Sequence, residues 1–556
     1  MTSPEAPESS WRSGRVALAC LLVVTGAWSL LLHGATLLSP ATRVPSAVFI
    51  TGHAWCFDHI RRMLAGELPL SLTTDRVGFA GEIHAAFIGW APAILVAPVG
   101  QFLGPVVAIN VASLVEPLLA AVATWAWLRG RGISPTGAAL GGLVLALSPP
   151  LTGALANGQL CKANVWALPL CLASLDLAAR RPWAAPLSGL AFAACVFSEP
   201  TYGVIATLVA VVYGIDAVAR SASRPWAALG VAVAGASWVP SLVLARAYYL
   251  VEGTQIFTPA GSVRGGHGDA VVSGSVSAPE LVLGADYLAD AENTAHVGYL
   301  GLVALGACVL AAARWRDARV AAALVALGAT LALGEFAILD GELWETGGKV
   351  VALPARALAA AGFPFAQSGQ YVRFLVVAWA AVALAVGAIA TARPRWGAVA
   401  AALVCVDALR ATAGLWPLGS FDVRGARDFP ALAAVVPGGR VLDLPGLGGN
   451  FGNGLTQLRG ALHGHAVDAR ARAGHRWANA PRPVSSVVFA IIEGQPELAR
   501  RFLDSERIGL VTWVGPETPE GPSLEATVAA LGSPETVGEV YYWRLTNNRL
   551  RPGPAR

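Results

Sequence analysis

Residues 372–392 read VRFLVVAWAAVALAVGAIATA; Arg393-Pro394-Arg395 follow, and a second apolar run then covers 396–415. A helix rising 1.5 Å per residue needs about 20 apolar residues to cross a hydrocarbon core roughly 30 Å thick. The first run meets that length with one charge, Arg373, at its head. Two such runs joined by three residues read as a helical hairpin through a membrane, with the positive charge in its turn. Working outward, comparable runs cover 16–38, 106–128, 134–155, 163–179, 183–198, 202–218, 226–244, 297–313 and 320–336, which makes eleven predicted spans. A twelfth stretch, 86–103, is interrupted by Pro92 and Pro98 and reads as a helix lying at or dipping into the surface.

Composition agrees with the threading. Of 556 residues 55% are apolar and 13% charged, and the mean hydropathy is +0.57. Soluble proteins carry about 25% charged residues, so this chain has too little polar surface to solvate one globule. A soluble enzyme, a disordered regulator and a nucleic-acid-binding domain are excluded. The net charge of +4 reflects where the arginines fall, not a basic docking face.

Five short links carry Arg129 and Arg131, Arg180 and Arg181, Arg220 and Arg224, then Arg314, Arg316 and Arg319, and last Arg393 and Arg395, against one acid, Asp317. Basic residues favour the cytoplasmic side. All five links share a side only if 86–103 does not cross. The reading is a cytoplasmic tail (1–15), a transmembrane domain (16–415) with a first outer loop (39–85), and an extracytoplasmic domain (416–556). The expected setting is a cell inner membrane. The long apolar core of 16–38, with no small-residue cleavage site after Leu38, reads as a retained anchor.

After Pro417 the pattern changes. A short helix is predicted over 428–436 and another over 497–505, with strands over 440–445, 508–514 and 540–545. This is a small α/β domain, so the fold class is mainly α, a polytopic helical membrane protein with a small α/β appendage. Five cysteines lie in spans; Cys56 and Cys161 are expected outside, where a disulfide between them is open.

The chemistry concentrates in the first outer loop. Between Gly52 and His84 stand Asp58, Asp75 and Glu82, with His53, His59 and His84, and Arg61, Arg62 and Arg76. A carboxylate near arginines suits transfer from a phosphate-linked lipid: the acid takes a proton from an acceptor hydroxyl and the cations hold the leaving phosphate. The competing reading is an amphipathic interfacial helix, since Asp58, Arg61 and Arg62 stand at i, i+3 and i+4. Elsewhere, Lys162 is one of two lysines, Glu199 stands at an outer helix end, and Arg373 heads its span. Lys162 and Arg373 suit a phosphate or simple snorkelling equally. Glu116, in mid-span, is either functional or a partner for a neighbour such as Asn110. Asp407 and Arg410 neutralise each other one turn apart. His463-Gly464-His465 with Asp468 reads as a turn more than a metal site, for want of a third firm ligand. No metal ligands are assigned and no cofactor is identified; a divalent metal stays open.

Several motifs, in this order and topology, resemble those of the GT-C superfamily of integral-membrane glycosyltransferases, in particular bacterial members with an extracytoplasmic C-terminal domain. They are the acidic first outer loop from Gly52 to Asp75, and Ser148-Pro149-Pro150 followed by Gly158-Gln159 and Ala167-Leu168-Pro169-Leu170. Ser198-Glu199-Pro200-Thr201-Tyr202-Gly203 and Arg373-Phe374 come next, then Val441-Leu442-Asp443-Leu444-Pro445 before His463-Gly464-His465. The resemblance implies transfer of a sugar from a polyprenyl-phosphate donor to a glycan or protein acceptor outside the cytoplasm, among membrane lipids and without nucleic acid. An acid of the first outer loop would be the base. Where relatives carry Gly-Asp-Ala, this chain has Gly52-His53-Ala54, so the implied base is Asp75, with Asp58 next. Arg61, Arg62, His53, His59, Glu82, His84, Lys162, Glu199 and Arg373 are the implied substrate- and phosphate-binding residues. A flippase of a lipid-linked precursor and a silent assembly protein are the alternatives.

Overall fold

The structure is a computed structural model. It describes residues 7–45, 50–69, 73–74, 83–84, 89–249, 275–283, 297–339, 342–360, 371–435, 440–444, 458–459, 461–463, 466–467, 483–505, 507–515 and 522–545. Among the described residues seven helices are long and apolar enough to cross a membrane: Ser13–Leu37, Pro105–Gly130, Pro135–Ala156, Leu160–Arg180, Thr201–Arg220, Arg224–Leu244 and Tyr371–Ala392. Shorter apolar helices cover Trp90–Leu103, Pro182–Ser198, Leu302–Arg314 and Arg319–Ala332. The run expected to end the membrane domain forms Pro394–Ala411. The chain is a mainly helical, multi-pass membrane protein.

Contacts divide it into two units. The first comprises Met1–Gly34, Ser113–Leu250 and Ile256–Leu418; the second comprises Ala35–Ala112, Val251–Gln255 and Gly419–Arg556.

In the first unit, helix Leu375–Ala392 is buried on every side from Leu375 to Ala390, which is why its sequence is apolar all round. Helix α5 (Pro135–Ala146) packs on it through glycines. A Cβ at Gly137 would stand 2.5 Å from the Gly387 carbonyl oxygen, and one at Gly141 would stand 2.6 Å from that of Ala383. Only small residues let two membrane helices approach so closely. Two links that the sequence shows as positive are partly neutralised. Asp176 in α8 (Ala167–Arg180) and Asp216 in α10 (Pro200–Arg220) lie 2.7 and 2.9 Å from Arg220, and Asp216 lies 3.0 Å from Arg131. The Tyr213 hydroxyl donates to Asp176 and accepts from the Trp127 indole at 2.6 Å.

One span begins later than its hydropathy predicts. Residues 297–301 are not helical, and the helix starts at Leu302. Gly301 takes φ +84°, a conformation open to glycine, where a Cβ would meet the Tyr299 hydroxyl at 2.6 Å.

In the second unit, strand Arg43–Pro45 pairs antiparallel with Ser420–Asp422. Helix α2 (Ile50–Leu64) packs against α3 (Trp90–Leu103). The terminal α/β domain is built on a five-stranded sheet in the order Ala466–Val467, Arg440–Leu444, Ile508–Trp513, Val540–Arg544, Glu535–Val537. The first three strands are parallel and the last two join antiparallel. Leu442, Leu444, Val511 and Trp543 face helices Pro483–Ile492 and Pro496–Ser505, while Val441, Leu510 and Val540 pack on Phe429 and Leu432. A sheet covered on both faces explains why 508–514 is apolar but for Thr512.

Candidate functional site

The second unit places the acidic loop on α2. Asp58 is buried there and clamped by both neighbouring arginines: Oδ1 accepts from Arg61 Nη2 at 3.0 Å and Nε at 3.1 Å, and Oδ2 accepts from Arg62 Nε at 2.8 Å. Arg61 also reaches Glu67 at 2.9 Å and Gln101 of α3. His53 is buried within 6.0 Å of the Phe57 ring, and His59 stacks on Trp55 at 5.0 Å. The i, i+3, i+4 spacing has thus produced a self-neutralised cluster on one helix. Asp75 and Glu82 lie outside the described residues, and of His84 only its strand, Ile83–His84, is described.

The first unit contains a small cleft, partly open to solvent, lined by Pro150, Ala154, Gln159, Lys162, Tyr202, Val297, Val372, Arg373 and Val376. Its cations come from two breaks in helical structure. Lys162 rides on the one-turn helix α7 (Leu160–Ala163), between α6 (Pro149–Ala156) and α8. Such a turn leaves its carbonyl oxygens without helical partners, which is costly at membrane depth. Side chains supply them: the Asn164 amide donates to the carbonyls of Leu160 (2.8 Å) and Cys161 (3.3 Å), and the Tyr202 hydroxyl donates to that of Lys162. Gly158, at φ +67°, makes the turn that delivers the chain to α7.

Arg373 sits in the single turn Tyr371–Phe374 before its long helix. Its Nη1 donates to Glu199 Oε1 and, at 2.8 Å, to Thr201 Oγ1. Arg373, Lys162 and Glu199 are each no more than 8% exposed. Gln159, Thr201 and Tyr202 were visible in the sequence as motif members but carried no assigned role; the proline pair 149–150 and Gly158 are the signals that could have marked the break. The lining therefore combines a lysine, an arginine, an amide and a tyrosine with proline, alanine and valine. That combination accommodates an anion bearing an apolar tail.

Other polar groups take structural positions. Glu116 is fully buried in α4 (Pro105–Gly130), facing the Trp166 indole. It does not partner Asn110, whose amide donates to the carbonyls of Pro40 at 2.9 Å and Arg43 at 2.6 Å. Asp407 pairs with Arg410 at 3.3 Å and accepts from the Tyr299 hydroxyl at 2.7 Å.

In the terminal domain, Asp443 lies fully buried near the end of strand Arg440–Leu444. It lies 3.2 Å from His463 Nε2 and accepts from the Thr512 hydroxyl at 2.5 Å. Burial opposes its ionisation, yet the His463 imidazole, the Arg459 guanidinium and the Thr512 hydroxyl together hold its carboxyl below the ordinary carboxylate range. Gly446–Gly449, Gly464, His465 and Asp468 lie outside the described residues. Among the described residues no three His, Cys, Asp or Glu side chains are grouped to hold a metal. The disulfide that the sequence left open between Cys56 and Cys161 is not formed: Cys161 is buried in α7 and Cys56 half-buried in α2.

No protein-family model matches the chain, and no curated protein matches it. Solved structures do. The crystal structure of the Archaeoglobus fulgidus oligosaccharyltransferase in its apo form aligns at a TM-score of 0.50 with 13% identity, covering 89% of this chain and 69% of that one. The cryo-EM structure of a mutant of the arabinofuranosyltransferase AftD from mycobacteria aligns at 0.50 with 17% identity, covering 92% of this chain and 38% of that one. Both neighbours are GT-C superfamily membrane glycosyltransferases, and this chain has their fold.

Proposed function

We propose that the chain is a membrane glycosyltransferase that moves a sugar from a polyprenyl-phosphate donor to a glycan or protein acceptor outside the cytoplasm. The observation that carries this reading is the cleft of the first unit, where Lys162 and Arg373 meet an apolar wall of Pro150, Ala154, Val372 and Val376. Charge-assisted hydrogen bonds from the two cations hold the phosphate, and the wall receives the first carbons of the lipid. The fold likeness supports the same class of reaction.

Asp75 is the proposed base, taking the acceptor hydroxyl's proton. Asp58 is the second candidate, although Arg61 and Arg62 occupy both its oxygens. Arg61, Arg62, His53, His59, Glu82 and His84 complete the proposed first-loop surface. The N-terminus is proposed in the cytoplasm of an inner membrane and the terminal domain outside.

The test is transfer from a radiolabelled polyprenyl-phosphate sugar to a total envelope extract by the purified full-length chain. Loss of label transfer in both Lys162→Met and Asp75→Asn, with unfolding temperatures retained, is the expected result. Undiminished transfer in Lys162→Met would refute the assignment of the cleft.

A further inference from the structure

Bound to the cleft's Arg373 is an acid that a phosphate site does not need. Glu199 is buried at the N-cap of α10, and its carboxylate is bound by Arg373 and lies 3.4 Å from the Thr201 hydroxyl. The charged neighbours acting on it are Arg373 and Lys162, with the Cys161 thiol as a hydrogen-bond partner. Counting Lys162 and Arg373 as positive and Glu199 as negative, this group sums to a single positive charge rather than two. The N-terminus of α10 adds a partial positive charge that does not vary with the ligand.

We infer that Glu199 is a specificity-determining residue that sets the cleft's charge to match a single phosphodiester, disfavouring diphosphate-linked lipids and retention of the spent carrier. The inference rests on the lipid-phosphate reading above. A sugar joined to a lipid through one phosphate is a diester with one negative charge. On transfer, the bond from the anomeric carbon to the phosphate oxygen breaks as the acceptor oxygen bonds that carbon. The acceptor's proton passes to the base. The phosphate is left as a monoester carrying about −1.5 to −2 at pH 7. A diphosphate lipid is more negative still. Without Glu199 the two cations would hold both of these more tightly than the donor, because Coulomb attraction in a buried site grows with each unit of charge. With Glu199 in place, Arg373 is already bonded through Nη1, and the site gains less from a second negative charge.

The experiment measures binding of three lipids to the full-length chain in nanodiscs: a polyprenyl phosphate methyl ester, a polyprenyl monophosphate and a polyprenyl diphosphate. Glu199→Gln keeps an oxygen for Arg373 and Thr201 while removing the charge; Glu199→Ala removes both, so either neutral variant that retains the wild-type unfolding temperature serves. Glu199→Asp keeps the charge. The expected result is a graded gain in the neutral variant: within about threefold for the methyl ester, and about tenfold or more for the diphosphate. Glu199→Asp keeps the wild-type ranking. Equal changes for all three lipids, or a loss confined to the diphosphate, overturn the role of Glu199 while leaving the lipid-phosphate reading intact. If the folded wild type binds none of the three, that reading fails and takes the inference with it.

Discussion

The two clusters of acid and arginine in this protein are built differently. On α2 a carboxylate and its cations come from one turn of one helix, so Asp58 is matched by Arg61 and Arg62. In the first unit, Glu199 and Arg373 stand 174 positions apart in sequence and meet where three helices begin or break. Beside them Lys162 is carried by a turn whose carbonyls are capped by Asn164 and Tyr202. Neutralisation along one helix is cheap to build and uses up its own charges. A cluster assembled from helix breaks sets cations against an apolar wall, which a ligand can exploit.

The comparison breaks most sharply at Arg373. Arg373→Met leaves Glu199 buried without its cation, and losing one partner of a buried pair costs about 3–5 kcal/mol. Thermal unfolding should show a marked drop, and Arg373→Met/Glu199→Leu should recover much of it. Next, Lys162→Met should lower transfer by about a hundredfold in protein that remains folded, since about 2.7 kcal/mol of charge-assisted contact is at stake. Asp58→Asn tests the other cluster. Its effect should be on stability, about 1–3 kcal/mol by chemical denaturation, with transfer changed less than tenfold. If Asp58→Asn abolishes transfer in a folded protein, the contrast between the two clusters is wrong. Tyr202→Phe uncaps the Lys162 carbonyl and should cost about 1–2 kcal/mol, raising KM for the donor more than it lowers kcat.

The terminal domain supplies a pH test. Because the folded Asp443 carboxyl lies below its ordinary value of 3.8, its contribution to stability is present above that value and is lost as pH falls through the folded one. Unfolding temperature measured from pH 7 downward should therefore decline below about pH 4 in wild type. Asp443→Asn should start lower and lack that component of the decline.

Much of the fold was legible because hydropathy and turn chemistry are local. The apolar runs, the three main strands of the terminal sheet and helix 497–505 all follow from short windows. Helix Pro483–Ile492 was not assigned, since PVSSVVFAII is an apolar run without helical period and with five β-branched residues among its ten. Gly301 shortened a span that hydropathy alone extends to Val297. At the site, Lys162, Glu199 and Arg373 stood out as rare charges in an apolar chain, and Asp58 with its arginines could be paired from spacing. The pairing of Glu199 with Arg373, and of Asp443 with His463 and Thr512, joins residues 20 to 174 positions apart, and no window reaches so far.

The most direct test is a cryo-EM structure of the full-length chain in nanodiscs containing a polyprenyl monophosphate. The phosphate is expected within hydrogen-bonding distance of Lys162 Nζ and the Arg373 guanidinium, with the first isoprene units along Val372, Val376 and Pro150. Phosphate density bound elsewhere, with Lys162 and Arg373 untouched, would contradict it.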